Sequence, residues 1–128
     1  MLTSVIRSSR GALRRQFSTV EVTNVASVLK MNVGNEETAA KLDQKMKAMS
    51  KKMEASPGLT NITRQVCKGE WAYELSFMWD SKEGFGAWKE SELQKEVHAD
   101  YEAALRDCGI ESEDVYAGAR VTDMWLNK

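Results

Sequence analysis

Proline, histidine and cysteine are scarce in this chain: among 128 residues there are one proline, one histidine and two cysteines. One proline with eight glycines excludes collagen-like and low-complexity classes. Cys67 and Cys108 have no CxxC spacing and read as free thiols. With a single histidine, a four-ligand metal site lacks donors, so no metal is expected. No apolar run approaches the roughly 18 residues that a membrane span needs. The glycines of Gly84-Phe85-Gly86 fall inside a helical segment rather than between a strand and a helix, so they form no phosphate-cradling loop. Ser27, Ser76, Ser81 and Ser91 lack His and Asp partners in a set order for nucleophilic catalysis, and Ser81 and Ser91 read as helix caps.

Acid is missing from one stretch altogether. Met1 to Val20 holds Arg7, Arg10, Arg14 and Arg15 but no Asp or Glu, so all 19 acidic residues follow it and the remainder has a formal charge of −5. Nucleic acid is an unsuitable partner for such a surface. On a helix, Leu2, Val5, Ile6, Leu13 and Phe17 lie broadly on one side, with Arg7, Arg10 and Arg14 repeating beside them. This Arg-rich, Ser-rich pattern is that of a mitochondrial transit peptide, and Arg15-Gln16-Phe17-Ser18 resembles the cleavage pattern of matrix-processing peptidases. The expectation is a leader over residues 1–17, a mature domain over residues 18–128, and the mitochondrial matrix as destination.

Within the mature part, apolar residues alternate at Val25, Leu29, Met31 and Val33, predicting a strand from Asn24 to Gly34. Asn35 then caps a helix whose Ala39, Leu42, Met46, Met49 and Met53 follow 3-4 spacing, stopping at Pro57-Gly58. The methionine stripe reads as core, since thioethers are adaptable fillers. Leu59 to Cys67 is a Thr- and Ile-containing strand, Lys68-Gly69 a turn, and Trp71, Tyr73, Leu75, Phe77 and Trp79 the alternate positions of its hairpin partner. Asp80 with Glu83, and Ser91 with Gln94, carry capping-box character ahead of a short helix bearing Phe85 and Trp88 and a longer one bearing Leu93, Val97, Tyr101, Ala104 and Leu105. Val115 to Leu126, with Trp125 at an alternate position, closes the chain as a strand.

The order β-α-β-β-α-β predicts an α+β, ferredoxin-like fold: an antiparallel sheet with helices on one face. The aromatic face from Trp71 to Trp79 exceeds what two amphipathic helices demand, so part of it is expected to line a cavity or a sheet-to-sheet homodimer contact.

Pro57-Gly58-Leu59, Tyr73 to Phe77, Trp79-Asp80-Ser81, Glu83, Phe85, Ala87-Trp88, Ser91 and His98, taken in order over about residues 24 to 126, resemble the antibiotic biosynthesis monooxygenase family of the dimeric α/β barrel superfamily. The resemblance implies a monooxygenase-type protein that holds a small aromatic, quinol-like substrate in an apolar pocket, without cofactor, or haem. Trp71, Tyr73, Phe77, Trp79, Trp88 and Ser27 are the pocket candidates. Haem-degrading members carry a Trp and a haem-ligating His ten residues apart, the spacing of Trp88 and His98, plus an Asn on the first strand. Aligning on Gly34 puts Ser27 at that Asn position. A neutral imidazole is a competent axial ligand, which makes His98 the candidate haem ligand. The alternative is a noncatalytic dimeric accessory subunit of a mitochondrial assembly, favoured by the lack of a recognisable acid–base pair.

Overall fold

A computed structural model describes residues 24–123, 125 and 126; the leader expected over residues 1–17 lies outside them. Four strands, β1 (Asn24–Asn32), β2 (Leu59–Cys67), β3 (Ala72–Trp79) and β4 (Tyr116–Thr122), form one sheet in the order β2-β3-β1-β4. Every neighbouring pair is antiparallel. Helix α1 (Glu36–Met53) links β1 to β2, while α2 (Lys82–Lys89), α3 (Glu92–Asp107) and a single 3-10 turn (Ser112–Asp114) link β3 to β4. The architecture is the expected ferredoxin-like α+β fold.

Local chemistry sets the boundaries. Asn35 is in an extended conformation and its side chain accepts the Thr38 N–H, while Glu36 and Glu37 at one end and Lys51 and Lys52 at the other complement the α1 dipole. Ser81, not Asp80, caps α2, with its hydroxyl accepting the Gly84 N–H. Asp80 instead donates its backbone N–H to Gly58 O. Gly58 has φ +85, and a side chain there would press on the Asp80 carboxylate and the Gly84 backbone, so the turn needs glycine.

Two strand ends fall short of expectation. Trp71 sits in the turn before β3 with φ 54, held by Val33 N–H on its carbonyl while Asn32 Nδ2 grips Glu70 O. β4 ends at Thr122, opposite Asn24 where β1 begins, so the ladder stops and Trp125 projects 93% exposed rather than joining a strand.

The core lies between the sheet and the three helices. Val25, Met31, Tyr73, Leu75, Phe77 and Trp79 face Leu42, Met46, Met49 and Met53 of α1 and Val97, Ala104 and Leu105 of α3. The inward row of β3, Tyr73, Leu75, Phe77 and Trp79, is thus buried inside one subunit, each at most 5% exposed. Most of the row is covered because α2 brings Phe85 and Trp88 against it and the helix layer is three helices wide, and Phe77 is the member that borders a cavity, as expected of part of the row. Alternation puts Ala26 and Val28 of β1 and Tyr116, Gly118 and Arg120 of β4 on the outer face, where the Arg120 guanidinium lies 5.7 Å from the Tyr116 ring.

Candidate functional site

β4 supplies small side chains to the inner face. Its inward positions Ala117 and Ala119 pair with Leu29 and Ser27 of β1. Opposite them stand α2 and α3, and a cavity of about 380 Å³ lies between. That volume suits a small aromatic molecule. Ser27, Ala117 and Ala119 of the sheet form its floor, Phe77, Met49 and Met53 its inner wall, Phe85, Trp88 and Val97 its roof, and Lys89, Gln94, His98 and Tyr101 its polar edge.

The joint between α2 and α3 aims the roof. Ser91 caps α3 by accepting the Gln94 N–H at 3.1 Å and donates its own proton to Trp88 O at 2.7 Å. One hydroxyl therefore fixes both helix ends, and Trp88 on one side of the joint and His98 on the other reach the same cavity. Trp88 stacks on Trp79 with ring centroids 5.5 Å apart. Trp79, fully buried, donates its indole N–H to Ser27 Oγ at 3.3 Å.

His98 is half exposed, with Nε2 3.0 Å from Glu102 Oε1 one turn along α3 and its ring tilted against Tyr101. Burial, with the Glu102 charge adding to it, pushes the Tyr101 phenol above its ordinary range, so it stays a protonated donor at neutral pH. Lys89 extends over the Phe85 ring, 5.1 Å from its centroid. Among the described residues, no group of three or more His, Cys, Asp or Glu side chains could hold a metal ion, and no helix is long and apolar enough to cross a membrane. Cys67 and Cys108 are free thiols.

The pocket candidates divide. Ser27, Phe77, Trp88 and His98 line the cavity, and Trp79 lies directly behind its floor. Trp71 and Tyr73 do not reach it. Trp71 borders a separate cleft with Glu36, Asp43 and Arg64. Tyr73 donates its hydroxyl to Asp43 Oδ1 at 2.8 Å. Reasoning from sequence did not name Phe85, Lys89, Gln94, Tyr101, Ala117 or Ala119 as lining residues. The available signal was Ala117-Gly118-Ala119 itself, a run of small residues in a strand where β-branched ones are usual.

No protein-family model matches the sequence, and no significant relative is found among curated proteins. Solved structures do match. SnoaB of Streptomyces nogalater, a cofactor-independent oxygenase, superposes with a TM-score of 0.62 at 12% identity, covering 83% of this chain and 99% of that one. The fold is that of the antibiotic biosynthesis monooxygenases. A candidate antibiotic biosynthesis monooxygenase of Deinococcus radiodurans gives a TM-score of 0.60 at 13% identity over 82% of this chain and 97% of its own. A dimeric ferredoxin-like protein of unknown function from Jannaschia sp. CCS1 gives 0.55 at 11% identity over 76% and 97%. At such identities the likeness establishes the fold, and the activity has to be argued from the cavity.

Proposed function

We propose that the protein is a cofactor-independent oxygenase of electron-rich aromatic molecules such as quinols, acting as a homodimer in the mitochondrial matrix. The observation that carries this reading is the 380 Å³ cavity roofed by Phe85 and Trp88 and edged by His98, Gln94 and Tyr101. Its apolar walls suit a planar ring system, and its few polar groups can orient it. In such a reaction the substrate is itself the reductant. The ring carbon beside a quinol's hydroxyl, a methylene in the keto tautomer, gives up two hydrogens and gains one oxygen atom of dioxygen as a carbonyl, the second oxygen atom leaving with those hydrogens as water, so that the quinol becomes a hydroxyquinone. The protein's part is to exclude solvent and hold the ring so that the anion formed by proton loss is stabilised. The His98–Glu102 pair at the edge is the candidate proton acceptor, the carboxylate orienting the imidazole and offsetting the charge it gains.

Haem fits these residues poorly. Ligation through Nε2 of His98 would require breaking its 3.0 Å pairing with Glu102, and Ser27 stands where haem-degrading relatives place an Asn. The matrix location rests on the acid-free arginine face of residues 1–20, and N-terminal sequencing of the endogenous protein that finds Met1 retained would refute it.

The decisive experiment is anaerobic titration with a naphthohydroquinone, read by the quenching of tryptophan fluorescence that Trp88→Phe should diminish, followed by oxygen uptake on mixing with air. Saturable quenching in the micromolar range and uptake faster than the quinol's own autoxidation are expected. Binding without uptake favours the accessory-subunit alternative. A haem titration whose Soret shift disappears in His98→Ala would reverse the choice of ligand.

A further inference from the structure

The fully buried Trp79 has a single polar atom, and its indole N–H is directed at Ser27 Oγ on the neighbouring strand. An indole only donates, so Ser27 is the acceptor in that bond. The hydroxyl proton of Ser27 makes no hydrogen bond among the described residues, although Ser27 lies on the floor of the cavity, whose other polar side chains, Lys89, Gln94, His98 and Tyr101, stand at its edge. Its neighbours across the ladders are Phe77 and Ala119, neither of which offers a side-chain acceptor. With one lone pair held by Trp79, the O–H is left to point where the cavity is open.

We infer that Ser27 is the oxyanion-binding residue of the cavity, that Trp79 is the positioning residue that holds its hydroxyl as a donor, and that the ligand class is hydroxyaromatics bound through an ionised phenolic oxygen. The inference rests on the reading of the cavity as an aromatic-binding site and adds which chemical form that site selects. A donor held in place among apolar walls gains more from a localised anion than from a neutral hydroxyl, because bonds to charged acceptors are the stronger ones and the donor needs no reorganisation. The same bond would stabilise the anion that must form before an electron-rich ring reacts with dioxygen.

The test uses 6-cyano-2-naphthol, whose phenol and phenolate forms differ in absorbance, and 6-cyano-2-methylnaphthalene, the same skeleton without the ionisable hydroxyl. Both are bound to the purified protein, and the pH midpoint of the bound naphthol is read by absorbance. In the wild type the midpoint should lie below that of the free naphthol. Ser27→Ala should raise it by about one pH unit, a tenfold fall in the phenolate-to-phenol ratio. Trp79→Phe, which keeps a ring but removes the N–H, should raise it by a smaller amount, about threefold in the ratio. Ser27→Thr should restore the wild-type midpoint, and affinity for the methylnaphthalene should stay within about twofold in all three variants. If Ser27 were only an internal partner for Trp79, Ser27→Ala would lower stability and leave the midpoint in place. An unmoved midpoint with both probes still bound overturns this inference alone. Failure of both probes to bind overturns it together with the aromatic-site reading.

Discussion

The two halves of the sheet's inner face are built from the same alternation and end in opposite states. On β3, inward positions carry Tyr73, Leu75, Phe77 and Trp79, and the space beneath α1 is filled. On β4 they carry Ala117 and Ala119, and the space beneath α2 and α3 stays open. Backbone geometry does not distinguish the halves, since both strands pair antiparallel with β1. Side-chain volume does. Close packing is the default of a protein interior, so a cavity persists where small residues on one layer face helices held away by their own contacts. The filled half provides stability and the open half provides a place for a ligand.

The sharpest way to test that division is to remove volume from the filled half. Trp79→Ala should cost about 3–5 kcal/mol, the range for deleting a fully buried aromatic side chain. The midpoint of thermal unfolding should fall by tens of degrees, at about 4–8 °C per kcal/mol for a domain of this size. A loss under about 1 kcal/mol in denaturant unfolding would mean that the filled half is no more tightly packed than the open one.

A polar knot within the filled half is the next largest effect. Asp43 of α1, its side chain 16% exposed, accepts the Tyr73 hydroxyl and pairs with Arg64 at 3.0 Å and Lys47 at 3.5 Å. Burial alone would raise the Asp43 carboxyl, but the Tyr73 hydrogen bond and the two cations outweigh it and hold the carboxyl below its ordinary value. Burial, and then the bond to Asp43, push the Tyr73 phenol well above its usual range. The depressed carboxyl contributes stability that is present above an unfolded pKa of about 3.9 and is lost as pH falls through the folded value. The raised phenol contributes stability that is present below about pH 10 and is lost as pH rises. Asp43→Asn should cost about 1–2 kcal/mol at pH 7 and flatten the acid limb in urea unfolding between about pH 5 and 2. Tyr73→Phe should flatten the alkaline limb. An acid limb identical to wild type in Asp43→Asn would dismiss the knot.

These contrasts explain what could be read from sequence. The uninterrupted alternation from Tyr73 to Trp79 and the 3-4 spacing from Ala39 to Met53 follow the periods of strand and helix, so the order of elements and most of the core were legible. So were the caps Asn35 and Ser91, because an N-cap is a local signal. Periodicity gives direction but not how much volume faces it, and so the β3 row was expected to be in excess. The cavity depends on missing volume at Ala117 and Ala119 and on helices whose separation is a tertiary property. The bonds from Tyr73 to Asp43 and from Trp79 to Ser27 join elements 30 and 52 residues apart, beyond the reach of any local pattern. His98 and Trp88 were found through family resemblance, and their shared cavity depends on the Ser91 joint between α2 and α3.

Adding volume to the open half should leave the fold nearly intact. Ala119→Leu places a larger side chain in empty space, and its stability should stay within about 1 kcal/mol of wild type, since overpacking is costly only where space is already filled. Affinity for an aromatic probe should fall tenfold or more in a fluorescence titration. Strong destabilisation with unchanged binding would reverse the roles given to the two halves.

The smallest effect on stability is expected on the outer face, where it reports on association. A side chain at Gly118 would meet the Tyr116 hydroxyl at 2.5 Å, so Tyr116 lies across Gly118 and beside Val28, which is 4% exposed although it faces away from the helices. Gly118→Ala must therefore displace the Tyr116 ring. That ring is half exposed and is met at its free end, so it can swing aside, and the gain of about 0.5–1 kcal/mol from replacing glycine within a strand offsets the lost contact. The net change in monomer stability should be within about 0.5 kcal/mol, as for surface substitutions generally. If the proposed homodimer forms through this face, a swung-out Tyr116 stands in the contact, and sedimentation should show dissociation at concentrations where wild type remains paired. Dimers of equal strength in wild type, Gly118→Ala and Tyr116→Ala would move the subunit contact to another surface.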